Sequence, residues 1–360
     1  MSLLEGIELF VQKSQTILPD FSLTKENRDQ VGHIVQRLDM LPLAIELAAA
    51  RISMLNVEEI AQRLSDRFEL LRGRIRDPKQ RALQGALDWS WGLLSKWEKS
   101  ALVQCSAFRN GFDIRAAEVV IDLSHFDEKL NVMDVLEALY DDSLLLKERQ
   151  NDGRFRYGML ASIHEYATQK REEFDHFNTQ KTPQRHAQYY GKLYKEAQQI
   201  NMSELSPFLI RELNNFIVGV EQGQQEDAFH CCRAAMRHFI LKGPMVRGVE
   251  VSAKFLHKSD IPAHFRIPIQ MERITCLRIS GKMNQARQEM NQTLSQAQSD
   301  AKSEKNKLKK PDKRKRDLSR QDQNIETPQK KLNEIFKNVN DSTRAEVLFE
   351  NGVLEAEQSN

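Results

Sequence analysis

The 360-residue chain has little cysteine and no long hydrophobic run, and each absence excludes a class of protein. Four scattered cysteines are too few for a disulfide framework, which favours a reducing, cytoplasmic setting. No apolar stretch approaches the ~18 residues of a membrane-spanning helix. The first 20 residues carry four charged side chains and lack the apolar core of a signal peptide. We therefore expect a cytoplasmic protein with no membrane partner.

Net charge is also nearly absent, because 53 Lys and Arg are balanced by 51 Asp and Glu. The balance is uneven along the chain. Residues 302–320 contain ten basic and three acidic side chains, a local charge of +7, and the remainder of the chain has a charge of −5. The sequence therefore predicts an acidic globular body that carries one short basic tract.

The basic tract has two interpretations. A cluster of Lys and Arg can bind nucleic acid or an acidic partner. The tract contains no aromatic residues that could stack on bases, so we favour a solvated, flexible insertion. Its candidate contact residues are Lys309, Lys310, Lys313, Arg314, Lys315 and Arg316.

Hydrophobic residues recur at three- and four-residue spacings along most of the chain, which predicts a mainly α fold. The first predicted helices cover residues 30–38, 43–54 and 57–64. The predicted organisation is a small helical domain (5–75), a winged-helix domain with one β-hairpin (79–175), TPR-like helical repeats (183–300), a disordered basic linker (301–330) and the start of a further helical repeat (331–360).

Two local signals support the winged-helix prediction. Ser95 and Glu98 form a capping-box pattern that predicts the start of a helix. Residues 144–149 and 154–159 flank the tetrapeptide Gln-Asn-Asp-Gly, which predicts a β-hairpin. Helices followed by one hairpin within roughly 95 residues are the element order of a winged helix.

Small residues recur at five-residue intervals farther along the chain, as expected at corners between paired helices. The pairs are Gly223 with Ala228, Gly243 with Gly248, and Gly281 with Ala286. The separation between the last two corners resembles the ~34-residue period of helix-pair repeats. We therefore expect a protein partner to bind through these repeats.

The segment Leu-Asp-Met-Leu-Pro-Leu-Ala-Ile-Glu-Leu-Ala-Ala-Ala-Arg at residues 38–51 resembles the G-L-P-L-A-x-E-L-A-A-A-R segment of STAND regulatory ATPases, the NB-ARC-like signalling NTPases. Within that family the sequence is most similar to bacterial regulators of the AfsR/LuxR type. Further resemblance to the family's winged helix and to the start of its repeats lies at residues 86–95, 107–112, 157–167 and 211–216.

The resemblance implies a regulatory part of such a protein without its ATPase domain. The family binds ATP or ADP through Gly-x4-Gly-Lys-Ser/Thr, where backbone N–H groups surround the phosphates. That motif is absent from this sequence. We therefore expect no cofactor and no enzyme activity in this chain. ATP or ADP would contact this chain only while bound to a separate nucleotide-binding domain, a P-loop ATPase partner.

The resemblance also implies that Pro42 packs against the adenine of a bound nucleotide. The simpler interpretation is that Pro42 only begins a helix, where its missing N–H costs nothing. Met40 replaces a glycine of the family and places a side chain where the base would approach. The cofactor contacts predicted for this chain are therefore Pro42 and Met40, and only if a nucleotide domain is present.

A nucleotide-sensing Met-His-Asp triplet of related proteins aligns with residues 159–161, which are Met, Leu and Ala here. Leu and Ala offer no hydrogen bond to a phosphate, so we expect this sensor to be absent. His164 lies nearby, and we expect it to face solvent or cap its helix. Cys231 and Cys232 are adjacent on a predicted helix and point about 100° apart, so we expect buried free thiols there and no zinc site.

Two other functions remain open beside that of a regulatory module. One is a helical-repeat scaffold for protein–protein interaction. The other is a DNA-binding transcriptional regulator that uses the winged helix and the basic tract. The predicted recognition helix at residues 132–142 has four carboxylates and no basic residue, so it would repel DNA phosphates. We therefore expect nucleic acid not to be a partner.

Overall fold

A computed structural model describes residues 1–71, 77–126, 130–151, 153–173, 179–197 and 202–308. The described residues form fifteen α-helices and one three-stranded sheet, which confirms the mainly α prediction. The chain divides into two compact units, the first from Met1 to His186 and the second beginning at Ala187. The six candidate residues of the basic tract and the helix predicted at 331–360 lie outside the described residues. The finer domain boundaries stay predictions.

The first unit begins with five helices that we call the first helical region. They are α1 (Leu3–Ile17), α2 (Arg28–Arg37), α3 (Pro42–Ala49), α4 (Val57–Leu71) and α5 (Pro78–Leu93). A 3₁₀ turn, Ala50–Ser53, follows α3 directly. Helix α1, which begins with a capping box between Ser2 and Glu5, is not among the helices predicted from sequence. Its Phe10 is fully buried, so α1 contributes to the core.

The remaining elements of the first unit, with α5, fall in the segment predicted to be a winged-helix domain (79–175), and we refer to these remaining elements as the winged helix. They are α6 (Lys96–Cys105), β1 (Phe112–Asp113), α7 (Ile114–Val120), α8 (Val132–Asp141), β2 (Leu146–Arg149), β3 (Phe155–Gly158) and α9 (Ala161–Glu173). The predicted hairpin is confirmed as β2 and β3, and the short β1, which was not predicted, pairs with β3 on its other side. The predicted capping box between Ser95 and Glu98 does begin α6.

The helices of the second half are α10 (Thr182–Ala197), α11 (Met202–Gln222), α12 (Gln225–Lys242), α13 (Met245–Leu256), α14 (Ala263–Ile279) and α15 (Met283–Leu308). The first glycine of each predicted pair (Gly223, Gly243 and Gly281) lies between two of these helices, and Gly248 lies inside α13. Gly243 and Gly281 have φ angles of 69° and 76°, which L side chains rarely adopt. Helix α15 includes the first residues of the stretch predicted to be disordered from residue 301.

Candidate functional site

A buried ion pair joins the first helical region to the winged helix. Arg51 lies in the 3₁₀ turn after α3, and its side chain is almost fully buried. Its Nη1 donates to Oδ1 of Asp142 at 2.7 Å. Asp142 is the C-cap residue of α8, so the contact connects the end of α3 with the end of α8. We call this pair the junction.

Burying the two charges of the junction has a desolvation cost. Burial raises the pKa of the Asp142 carboxyl, although the Arg51 guanidinium opposes this effect by attraction and hydrogen bonding. Nearby Glu98 and Asp141 add to the rise. Among the described residues, Nε and Nη2 of Arg51 have no hydrogen-bond partner. Asp142 is therefore the main group that compensates for burial of the Arg51 guanidinium. Loss of either charge would leave the other unpaired in a low-dielectric interior.

A second ion pair fixes α8 to the hairpin. Lys147 Nζ on β2 lies 2.7 and 2.8 Å from the two carboxylate oxygens of Glu137 on α8. The Tyr157 hydroxyl on β3 donates to Glu137 Oε1 at 2.5 Å. Burial alone would raise the pKa of Glu137, but these two hydrogen bonds and the Lys147 charge lower it overall. Two of the four carboxylates on the predicted recognition helix, Glu137 and Asp142, are therefore used inside the protein.

Two of the four basic residues of the hairpin are also engaged internally. Lys147 pairs with Glu137 and also lies over the Phe155 ring, 4.5 Å from its centroid. Arg156 donates from Nη2 to the backbone oxygens of Asn110 and Gly111, at 3.2 and 2.8 Å. These two side chains hold β2 and β3 in place and are not directed to an outside phosphate.

The expectation that His164 faces solvent or caps its helix is wrong, because the residue is buried, with only 9% of its surface exposed. Its Nδ1 lies 3.2 Å from Arg109 Nη1, and its Nε2 lies 3.2 Å from the Phe108 carbonyl oxygen. Arginine only donates and a carbonyl only accepts, so these contacts assign the neutral tautomer with the proton on Nε2. No local sequence signal marks this role, because Phe108 and Arg109 lie more than 50 residues away.

A cleft of about 750 Å³ lies beside His164. Met159 and Ala161, at the first and third positions of the predicted missing sensor triplet, line it. Its other lining residues are Arg109, Asn110, Glu165, Thr168 and Gln169. The cleft therefore brings together one guanidinium, one carboxylate, one buried imidazole and several neutral hydrogen-bonding groups.

Acidification should destabilise the first unit through His164. Burial, then the Arg109 charge, lower the pKa of His164, so the folded chain binds this proton less readily than the unfolded chain. This contribution to stability is complete above the unfolded pKa of about 6.5 and is lost as pH falls toward the lower folded value. We expect the free energy of unfolding to fall less between pH 7 and pH 5 in His164→Gln than in wild type.

The matched control for this prediction is His33→Gln, which removes an exposed histidine of α2. Urea unfolding followed by tryptophan fluorescence reports this unit, because all three tryptophans lie within residues 89–97. Equal pH slopes for the two variants would show that His164 does not titrate as proposed.

Pro42 and Met40 lie where α3 begins. Pro42 is the first residue of the helix and is exposed to solvent. Met40 has a φ angle of 55° and Asp39 one of 52°, so two consecutive non-glycine residues are left-handed. The adenine contact implied by the resemblance stays a prediction, as do the partner contacts assigned to Lys309, Lys310, Lys313, Arg314, Lys315 and Arg316.

Met40→Gly should stabilise the first unit by about 0.5–1 kcal/mol. A left-handed conformation costs a non-glycine residue roughly 1–2 kcal/mol, and glycine loses about 0.5–1 kcal/mol through greater freedom in the unfolded chain. Met54→Gly is the control, because Met54 is exposed and has a φ angle of −117°. We expect that substitution to destabilise, and urea midpoints measure both. If Met40→Gly destabilises the unit instead, packing of the Met40 side chain contributes more stability than its left-handed backbone costs.

The four cysteines are buried free thiols. Burial raises the pKa of Cys231 and of its neighbour Cys232, which keeps both protonated. The described residues contain no group of three or more His, Cys, Asp or Glu that could hold a metal ion. They also contain no helix that is both long and apolar enough to cross a membrane.

Curated mycobacterial proteins resemble part of this chain. A 168-residue stretch is 38% identical to a Mycobacterium tuberculosis protein named "Putative HTH-type transcriptional regulator", covering 46% of this chain and 19% of that protein. A 172-residue stretch is 36% identical to an "Uncharacterized protein" of the same species, covering 47% of this chain and 43% of that protein. The chain thus spans about a fifth of the first relative and less than half of the second. No family model and no solved structure matches the chain.

Proposed function

We propose that this chain is the non-catalytic regulatory part of a STAND-type transcriptional regulator. In this proposal the helical hairpins of the second unit sense a protein partner. The first helical region and the winged helix transmit that state to a nucleotide-binding domain outside this sequence. ATP or ADP would bind that domain and touch this chain only near Pro42 and Met40.

The observation that carries the proposal is the position of the junction. Helix α3 begins at Pro42, the residue that the family resemblance assigns to the adenine, and Arg51 follows its last turn. An eight-residue helix is a rigid element about 12 Å long. A displacement at Pro42 would therefore reach the Arg51–Asp142 pair directly and change how α8 is held. Transmission requires such a contact, because it must differ between two packed states.

The comparison with known proteins supports the regulatory class. A relative with 38% identity over 168 residues carries the name of an HTH-type transcriptional regulator. That relative is about five times as long as the matched stretch, so most of it lies outside the match. The resemblance at residues 38–51 supports the narrower assignment to the STAND group.

The test is a nucleotide-coupling measurement with the P-loop domain supplied separately. We expect calorimetry to detect no ATP or ADP binding to this chain alone. We expect the chain to bind a P-loop domain encoded next to it in the source genome and to change the ADP affinity of that domain at least fivefold, a typical allosteric coupling. Arg51→Met should reduce the coupling more than Arg37→Met, which changes an exposed arginine of α2.

Two outcomes would overturn the proposal. Direct ATP binding by this chain would contradict the assignment of the nucleotide to another domain. A P-loop domain whose affinities are unchanged by the chain would favour the scaffold function instead.

DNA binding is the second candidate, because the name of the matched relative includes an HTH-type regulator. The winged helix offers little for it, since Lys147 and Arg156 are bound internally and α8 carries four carboxylates with its C-cap included. The basic tract from Lys309 to Arg316 would then supply the phosphate contacts. A gel shift at graded salt tests this function. DNA binding that a 302–320 deletion abolishes would support it, and the absence of any shift at low salt would exclude it.

A further inference from the structure

Strand β2 lies at the edge of the three-stranded sheet. The strand order is β1-β3-β2, so β2 pairs with β3 on one side and with no described strand on the other. An edge strand presents backbone N–H and C=O groups with which another chain can pair. Three of the four residues of β2 are exposed to solvent, namely Leu146, Glu148 and Arg149. The outer edge of β2 is therefore open in the described part of the chain.

The hydrogen bonds of the hairpin show which backbone groups of β2 point outwards. The Gln150 N–H donates to the Arg154 carbonyl oxygen at 2.8 Å, in the same register as the rest of the hairpin. Along an antiparallel pair, hydrogen-bonded and non-hydrogen-bonded positions alternate. Glu148 is therefore bonded to β3, whereas the N–H and C=O groups of Lys147 and Arg149 point away from it. These four groups have no backbone partner among the described residues.

The other side of β3 gives an independent check of this alternation. Tyr157 lies opposite Lys147 in the hairpin and opposite Phe112 of β1 on its other side. A Cβ added to Gly111 would lie 2.7 Å from the Tyr157 carbonyl oxygen, so this oxygen faces β1 and not β2. Residues 147 and 157 therefore form a non-hydrogen-bonded pair, whose backbone groups point away from each other.

The side chains of β2 give the open edge a specific charge pattern. Successive side chains alternate between the two faces of a sheet. Arg149 shares one face with Lys147, and Glu148 shares the other with Leu146. Lys147 is paired with Glu137, but the Glu148 and Arg149 side chains have no ion pair with any described residue. The edge therefore offers one unpaired cation on one face and one unpaired anion on the other.

A second copy of this chain fits the edge poorly. Lys147 and Arg149 carry the outward backbone groups, so antiparallel pairing of two β2 strands places one of these residues opposite one of them in the other copy. Every such register sets two basic side chains directly opposite each other. Like charges at opposite positions destabilise a strand pair, and charged side chains on edge strands prevent self-association in this way.

We propose that β2 binds an extended segment of a partner protein, which adds an antiparallel fourth strand to the sheet. The main chain of that segment pairs with the outward groups of Lys147 and Arg149. An acidic residue of the segment lies opposite Arg149, and the basic residue after it lies opposite Glu148. An apolar residue two positions later covers Leu146, which is 41% exposed. This interaction goes beyond the proposed function, because it assigns a partner to the winged helix.

The test uses the full chain and a fluorescein-labelled peptide, Thr-Glu-Lys-Thr-Val-Thr, whose fluorescence anisotropy should rise on binding. An N-methyl group on the Glu of the peptide removes its hydrogen bond to the Arg149 carbonyl oxygen and should weaken binding about fivefold. An N-methyl group on the adjacent Lys is the matched control. The N–H of that Lys points away from β2, so this peptide should bind like the unmodified one.

Exchange of two charges locates the binding site on β2. The double variant Glu148→Lys with Arg149→Glu should reverse the preference, so that Thr-Lys-Glu-Thr-Val-Thr binds more tightly than the original peptide. Arg115→Glu with Glu118→Lys is the matched control, because it exchanges the same charges at exposed positions of α7. That variant should retain the original preference. Circular dichroism melting verifies that each variant is folded.

Four results would overturn the inference. They are the absence of binding by the original peptide at millimolar concentration, equal affinities for the two N-methyl peptides, dimerisation of the chain through β2, and binding of duplex DNA without binding of either peptide. The N-methyl comparison needs no variant of the chain, so it does not depend on how a substitution affects folding. No nucleotide or P-loop domain is required, so failure here is distinct from failure of the proposed function.

Discussion

Arg51→Met should lower the free energy of unfolding of the first unit by about 3–5 kcal/mol. The substitution preserves much of the apolar volume of the buried side chain but removes the partner of Asp142. The Asp142 carboxylate would then remain in a site whose burial already raises its pKa. Urea unfolding followed by tryptophan fluorescence measures the loss, because all the tryptophans lie in this unit.

Two further variants separate the ion pair from simple packing. Arg51→Met combined with Asp142→Leu removes both charges, and such replacements are often neutral or stabilising by about 1–4 kcal/mol. We therefore expect the double variant to recover most of the loss. Arg37→Met, at an exposed position of α2, should change stability by no more than ~0.5 kcal/mol. A double variant no more stable than Arg51→Met would mean that the junction is held by shape and not by charge.

Gly111→Ala should destabilise the winged helix by about 2–4 kcal/mol, from backbone strain and from overpacking. Gly111 has a φ angle of 86°, and an added Cβ would lie 2.7 Å from the Tyr157 carbonyl oxygen. That oxygen belongs to β3, which pairs with β1 immediately after Gly111. The backbone cannot relieve this contact locally, because that would require β1 and β3 to separate.

Gly153→Ala is the matched control for this prediction. Gly153 has a similar φ angle of 80°, but an added Cβ would meet nothing within 4 Å. It should therefore cost about 0.5–1 kcal/mol, the left-handed strain less the entropy that alanine removes from the unfolded chain. Urea unfolding of the two variants isolates the steric part as their difference. Equal losses would show that β3 moves away from position 111 at no cost.

The features that the sequence predicts correctly have local signals. The capping box at Ser95, the hairpin turn before residue 154 and the corner glycines all depend on neighbours within about five residues. Each of these motifs satisfies backbone groups or sets φ angles by its own chemistry. For the same reason Pro42 could be placed at the first residue of a helix before the fold was seen.

Long-range contacts were not predictable in the same way. Arg51 and Asp142 are separated by 91 positions, and neither has a local pattern that distinguishes it from a surface charge. His164 is buried because Phe108 and Arg109 come to it from another element. Strand β1 has only two residues, so periodicity cannot reveal it. The nucleotide contact and the partner remain proposals, because the resemblance assigns them to a domain and a ligand outside this chain.

The reaction of the four buried thiols with a labelling reagent measures how fast the folded chain opens. Cys105 belongs to the first unit, and the second contains Cys231, Cys232 and Cys276. A thiol-specific reagent reacts with thiolate, so these side chains become reactive only when their surroundings open. Mass spectrometry after timed labelling would therefore read the opening rate of each unit separately in one sample.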